Sequence, residues 1–294
     1  MISPKQKIVP HLWFNDRAEE VIALYTSLLK NSSIAGTDRI KGGPGDGNFI
    51  ATFQLCGRDF MALEGGPYYS FTPAISLFVD CKTPEEIDTL WAALSKDGKI
   101  RMDLGSYPFG ERFGWVQDKF GLTWQLNLAR KPQAVSPFLM FVGDQHGRAE
   151  EAINRYVSLF TNAAITSIAH YGPDEDGPEG TVKHAVFTLE GGQFEAIDSH
   201  WPHAFTFSGA ISFMVLCHTQ QEIDHFWDAL CDGGTPEQCG WLRDRHGVTW
   251  QIVPAHIAEM LSGPDPDRTK AVMDALLDMV KIDLATLERA YRGE

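Results

Sequence analysis

The feature that most restricts what this chain can fold into is that it repeats itself. Arg17-Ala-Glu-Glu returns as Arg148-Ala-Glu-Glu, and Phe71-x-x-Ala-Ile-Ser returns as Phe207-x-x-Ala-Ile-Ser. Gly121-Leu-Thr-Trp-Gln returns as Gly247-Val-Thr-Trp-Gln. Tyr25, Ser27, Leu28 and Asn31 return as Tyr156, Ser158, Leu159 and Asn162, Glu86-Ile-Asp as Glu222-Ile-Asp, and Trp91 as Trp227. The matches keep their order along most of each copy, so a tandem duplication with altered loops explains them. One copy occupies 7–130, the second 136–254, and a different tail fills 255–294. A chain of 294 residues fits two domains at about 150 residues each. The linker Lys131–Pro137 is short, and its two prolines disfavour helix.

Within a copy the hydrophobic period alternates between two and 3.6. Residues 8–14 read as a strand. Asp16 is placed to cap a helix over 17–30, with Val21, Leu24, Tyr25 and Leu28 on one face. Strands over 33–40, 48–56 and 58–64 follow, with the Gly/Pro/Asp-rich stretch 41–47 as a hairpin loop. The pattern then restarts with a strand at 74–80 and a helix from Pro84 capped by Thr83, and it ends with a strand at 122–128. Each copy is therefore two βαβββ units. In the tail, Asp265-Pro266 opens one helix over 266–280 and Asp283 a second to Tyr291. Val272, Met273, Leu276, Leu277 and Val280 are spaced to pack on the domains or on a second chain.

Charge narrows the partners. Lys plus Arg is 25 against 39 Asp plus Glu, a formal net charge of −14. So acidic a chain repels phosphate backbones and anionic lipid, which argues against nucleic-acid and membrane partners. No apolar run is long enough to span a bilayer, and the segment Met1–Lys7 lacks a signal-peptide core. Cys56, Cys81, Cys217, Cys231 and Cys239 are odd in number and form no C-x-x-C pair. They read as free, mostly buried thiols in a reducing compartment, so a cytoplasmic protein is expected.

His11-Leu-Trp-Phe-Asn, Arg17-Ala-Glu-Glu, Phe60-Met-Ala-Leu-Glu-Gly-Gly-Pro, Ala74-Ile-Ser and Gly114-Trp-Val-Gln-Asp-Lys-Phe-Gly-Leu-Thr-Trp-Gln resemble the PhnB-like branch of the vicinal oxygen chelate superfamily. The tail Lys281-Ile-Asp resembles it too, and Gly240-Trp-Leu-Arg-Asp-Arg-His-Gly-Val-Thr-Trp-Gln repeats the pattern in the second copy. The superfamily includes glyoxalase I, bleomycin-resistance proteins and extradiol dioxygenases. The resemblance implies an α+β fold of tandem glyoxalase/bleomycin-resistance-like domains, each two βαβββ units forming a curled mixed sheet, plus the helical tail. Members of the branch are often labelled 3-demethylubiquinone-9 3-methyltransferase. Methyl transfer from S-adenosylmethionine would need a Gly-rich turn opening a helix, whereas the cluster Gly42–Gly47 sits in a hairpin loop.

In such metalloenzymes one ligand comes from each of four strands lining a cavity. By alternation, Val9, His11 and Trp13 share a face of the first strand, and Phe60, Ala62 and Glu64 are expected on the cavity face of the fourth. Ala74, Ser76 and Phe78 share a face of the fifth strand, and Thr123, Gln125 and Asn127 a face of the last. Where the resemblance calls for a glutamate on the last strand this chain has Gln125, and Ala74 stands in the expected histidine position. His11 and Glu64 are good ligand types, each one inward step from the expected place, and they are the candidate metal ligands or acid–base pair. In the second copy Phe138 replaces His11 and Asp198 replaces Glu64, while Ser212 and Gln251 match Ser76 and Gln125. Asp198-Ser-His200-Trp-Pro-His203 is a further cluster, and His184 and His246 read as solvated histidines.

The resulting expectation is a small-molecule-binding protein with degenerate metal sites, its ligand held by Trp13, Phe60, Ser76, Phe78, Thr123, Gln125, Asn127, Asp198, Ser212 and Gln251. The alternative is a lyase, isomerase or dioxygenase using zinc, nickel, manganese or iron at His11 and Glu64. A third reading makes the cavities vestigial. The two repeats are expected to form a pseudo-twofold assembly, as a monomer or within a homodimer, and strand exchange between units is left open.

Overall fold

The computed structural model describes residues 4–41, 43–263 and 265–294. The first three residues of the N-terminal segment and Gly42 of the glycine-rich loop lie outside them. The first repeat comprises β1 (Ile8–Phe14), α1 (Ala18–Leu28), β2 (Ser33–Arg39), β3 (Phe49–Leu55), β4 (Arg58–Glu64), β5 (Ile75–Cys81), α2 (Pro84–Leu94), β6 (Lys99–Tyr107), β7 (Gly110–Gln117) and β8 (Thr123–Leu128). The second comprises β9 (Ala134–Phe141), α3 (Ala149–Leu159), β10 (Ala164–His170), β11 (Val182–Leu189), β12 (Gly192–Asp198), β13 (Ile211–Cys217), α4 (Gln220–Cys231), β14 (Thr235–Pro236), β15 (Trp241–Arg243) and β16 (Thr249–Pro254). The tail forms α5 (Ile257–Leu261), α6 (Pro266–Leu277) and α7 (Leu284–Arg292).

The strands form two mixed eight-stranded sheets, and each sheet takes one unit from each repeat. Sheet A runs β14-β15-β16-β13-β1-β4-β3-β2, and sheet B runs β10-β11-β12-β9-β5-β8-β7-β6. The repeats meet edge to edge at two antiparallel seams, β1 with β13 and β5 with β9. The same order results when the two repeats are exchanged, as the pseudo-twofold expectation requires. Loop length explains the exchange. Only residues 129–133 separate β8 from β9. Five residues span at most about 18 Å, and a strand two places away lies about 10 Å off. β9 therefore joins sheet B beside β5, antiparallel to it, and β13 is left to join β1. The linker is narrower than expected, since Pro137 lies inside β9.

The helices pack on one face of each sheet, α1 on β3, α2 on β8, α3 on β11 and α4 on β16. The strongest repeated motif ties these layers together. Tyr25 on α1 donates to Asp118 Oδ2 at 2.5 Å, and Trp124 Nε1 donates to the same oxygen at 2.9 Å. The backbone N–H groups of Phe120 and Leu122 donate to Oδ1. Asp244 repeats this with Tyr156 at 2.6 Å, Trp250 at 2.9 Å and the N–H groups of His246 and Val248. Burial pushes both carboxyls up, against the pull of four hydrogen bonds each. The turn needs glycine next, and Gly121 and Gly247 have φ of 95° and 87°. The motif thus holds a helix of one sheet to the rim of the other.

Asp16 does not cap α1. Its N-cap is Arg17, which makes no side-chain cap bond, and the orphan Ala18 N–H donates to Glu64 at 3.0 Å. The tail straps the outer edges of sheet A together. Backbone bonds join Cys239 to Met279 and Gly240 to Val280, and Lys281 pairs with Asp224 and Asp228 on α4. At the other edge Met273 and Leu277 lie against Gly43 of the β2–β3 loop. Val272, Met273 and Leu276 are buried, whereas Val280 lies beyond α6 and is exposed. Among the described residues no helix is long and apolar enough to cross a membrane.

Candidate functional site

Each sheet has a face turned away from the helices, and the seam between repeats runs through its centre. On sheet A that face carries one row of side chains at the level of His11. β1 and β13 place His11 beside Ser212, β4 places Met61 beside His11, and β3 places Thr52 beside Met61. Gln251 on β16 extends the row, its amide donating to Ser212 Oγ at 2.8 Å. The row spans both repeats and exists only because the strands are exchanged.

His11 is 6% exposed, and its Nδ1 has no hydrogen-bond partner. Thr52 is 2% exposed, and its Oγ1 also lacks one. Burial pushes the His11 imidazole down to about 4, so it is neutral at physiological pH. Aromatic rings surround it. Trp241 of β15 meets His11 edge-on at 5.7 Å, Tyr69 stacks on Trp241 at 6.0 Å, and Trp13 meets Tyr69 edge-on at 5.3 Å. Trp13 reaches this position because residue 65 is glycine, where a Cβ would fall 2.2 Å from the indole.

The equivalent row on sheet B is Gln125, Ser76, Phe138 and Glu195. Gln125 donates to Ser76 at 2.8 Å, reproducing the Gln251–Ser212 pair. Thr123 donates to the Ile75 carbonyl at 3.4 Å, and Asn127 donates to Asp80 at 2.9 Å. Phe78 stacks on Phe138 at 5.8 Å. Of the expected ligand-binding residues, Trp13, Ser212 and Gln251 thus gather on sheet A with His11, and Ser76, Phe78, Thr123, Gln125 and Asn127 gather on sheet B.

Three expected residues sit on the opposite face. Pairing His11 with Met61 puts Phe60, Ala62 and Glu64 on the helix side of β4. Phe60 is core, stacked on Phe53 at 5.6 Å. Glu64 caps α1, so it neither meets His11 nor shares a metal with it. Asp198 does the same for the second repeat, accepting from the N–H groups of Gly147, Ala149 and Val182 at 2.7, 3.2 and 2.9 Å. With Asp198 committed, and His203 bonded to Ser199 at 2.8 Å, the 198–203 cluster does not converge. His246 is fully buried rather than solvated.

The donor sets do not suit a tightly held divalent metal. At the row positions sheet A offers an imidazole, a thioether, a hydroxyl and an amide, and sheet B offers a phenyl, a carboxylate, a hydroxyl and an amide. Zinc or nickel in such a site wants three or more His, Cys or carboxylate ligands. Among the described residues no group of three such side chains could hold an ion. Burial pushes the thiols of Cys56, Cys81 and Cys217 up to about 12.

A cleft of about 720 Å³ opens elsewhere, along the 203–207 crossing and the 243–247 turn. Of its charged side chains, Arg243 is engaged with Glu237, Arg245 with Asp232 and Asp244 with Tyr156. The inner-face row of sheet A differs in holding fully buried polar atoms, His11 Nδ1 and Thr52 Oγ1, without a partner. Trp241 comes next to His11 only through the pairing of β13 beside β1, Thr52 follows from the β3–β4–β1 register, and Tyr69 lies in the loop after β4, where alternation gives no signal.

The family described as 3-demethylubiquinone-9 3-methyltransferase matches residues 6–127 and again 133–253. The PhnB protein of Bacillus cereus is 48% identical over 42% of this chain and 100% of its own, with a TM-score of 0.40. A protein from Staphylococcus aureus is 36% identical over 44% of this chain and 98% of its own, with a TM-score of 0.18. Glyoxalase I of Zea mays is 12% identical over 90% of this chain and 98% of its own, with a TM-score of 0.58, which is a likeness of fold. No curated protein matches the chain. Two matches in tandem, together covering most of the chain, show that it belongs to the 3-demethylubiquinone-9 3-methyltransferase (PhnB-like) family, as an internal duplication.

Proposed function

We propose that the chain binds a small planar molecule, without metal, on the inner face of sheet A. One observation carries this reading. His11 Nδ1 and Thr52 Oγ1 are buried, unpartnered and on one face, with the Ser212–Gln251 pair alongside. An unsatisfied buried polar group costs about 1–3 kcal/mol, so two in one row call for a guest that supplies the missing partners. The rings of Trp13, Tyr69 and Trp241 suit a flat ligand, and a neutral imidazole suits one without a net charge. The tail joins the outer edges of sheet A and has no counterpart on sheet B, where the chain passes directly from β8 to β9.

The test is a metabolite screen by thermal shift, followed by calorimetry on each hit. A ligand of this face loses affinity at least tenfold in both His11→Ala and Thr52→Val. Hits whose affinity is unchanged in both variants remove the two residues from the site. The reading as a metal-dependent lyase, isomerase or dioxygenase is weaker, because each row supplies one good ligand. Methyl transfer gains no support either, since the glycine-rich loop joins β2 to β3 and opens no helix.

A further inference from the structure

We propose that the inner face of sheet B is a second site of different chemistry, in which His184 and Glu195 take a planar neutral molecule bearing an acidic hydroxyl, such as a phenol. Neither residue has a counterpart in sheet A, where the aligned positions are Ile50 and Met61. Glu195 is 3% exposed at the centre of β12. Its Oε1 accepts from Ser136 Oγ at 3.0 Å and Gln193 Nε2 at 3.1 Å, and its Oε2 meets His184 Nε2 at 2.9 Å.

A carboxylate only accepts, so the contact puts a proton on Nε2 of His184, and the uncharged form of the ring has the Nδ1 lone pair left to accept. The His184 side chain is 43% exposed, so a ligand can reach it. The ring continues an apolar floor. His184 stacks on Phe138 at 6.2 Å, Phe138 on Phe78 at 5.8 Å, and Phe78 leans on Phe113 at 6.4 Å. An aromatic ring lying on the phenylalanines donates its hydroxyl to His184.

Charge selects within this class. Glu195 is buried and has no Lys or Arg within ion-pair distance among the described residues, so a bound carboxylate would face its negative charge at a cost. A neutral hydroxyl donor meets no such penalty. This site does not depend on the reading of sheet A.

The experiment uses 4-nitrophenol as the probe, at a pH where it is neutral, with 4-nitroanisole and benzoate as comparators. Binding is read by calorimetry and by the histidine ring signals in NMR. The expected result is saturable binding of 4-nitrophenol alone, weakened at least tenfold in His184→Gln and in Glu195→Gln. The ring signals that move should be those missing from the folded His184→Gln protein. Equal affinity in the wild type and His184→Gln, movement of other histidine signals only, or no saturable binding of 4-nitrophenol would each overturn the proposal. Equal binding of 4-nitroanisole would do so as well, because it lacks the hydroxyl.

Discussion

Replacing His11 by Phe, the residue found at the equivalent place in the second repeat, should stabilise the protein and abolish ligand binding on sheet A. The imidazole is buried with one ring nitrogen unpartnered. A phenyl ring removes that deficit, a gain of about 1–3 kcal/mol at pH 7. The gain should grow in acid. Burial holds the His11 imidazole down at about 4 in the folded chain, against its ordinary 6.5. Below about 6.5 the unfolded chain therefore takes up a proton that the native chain refuses, and native stability falls until the pH passes about 4. At 1.36 kcal/mol per pH unit, the wild type should lose a further 2–3 kcal/mol or so relative to His11→Phe between pH 7 and pH 4.5. Urea unfolding followed by circular dichroism, on both proteins at both pH values, measures this. The carboxylates and His246 titrate in both proteins and cancel in the difference. A gap that stays constant with pH would refute the claim that a neutral, desolvated imidazole lies in that row.

Glu64→Ala should cost about 1 kcal/mol of stability, the value of a helix cap, and leave ligand affinity unchanged. Denaturant midpoints and calorimetry check both halves, and lost binding with intact stability would return Glu64 to the site. Asp118→Ala removes the acceptor of four buried donors and should lower stability by about 3 kcal/mol or more, whereas Tyr25→Phe should cost about 1 kcal/mol. Equal, small losses in thermal melts would show that the tie is not structural. Residues 1–130 expressed alone should self-associate, because β1 and β5 lose β13 and β9 and expose unpaired edges. A stable monomer by sedimentation would contradict the exchanged pairing.

Much of the fold was legible because its signals are local. Repeated motifs, alternation and caps such as Thr83, Asp265 and Asp283 place most elements within a residue or two of where they lie. The phase of β4 was not legible. Phe60-Met-Ala-Leu is apolar at every position, so alternation has no contrast there, and the face follows only from pairing with β1. The exchange of units between sheets is a long-range choice made by the five-residue passage from β8 to β9. It decides that His11 meets Ser212, Gln251 and Trp241 rather than Ser76 and Gln125. His184 and Glu195 were missed for a related reason. They lie eleven residues apart, and only the β11–β12 hairpin register brings the imidazole onto the carboxylate.

The most direct measurement of the central claim is elemental analysis of the purified, untagged protein before and after dialysis against a chelator. A metal-free binding face predicts no stoichiometric divalent ion and a melting temperature that chelator, zinc, nickel, manganese or iron leaves unchanged. About one ion per chain, removed by chelator together with thermal stability and absent from His11→Ala, would contradict it and make sheet A a metal site.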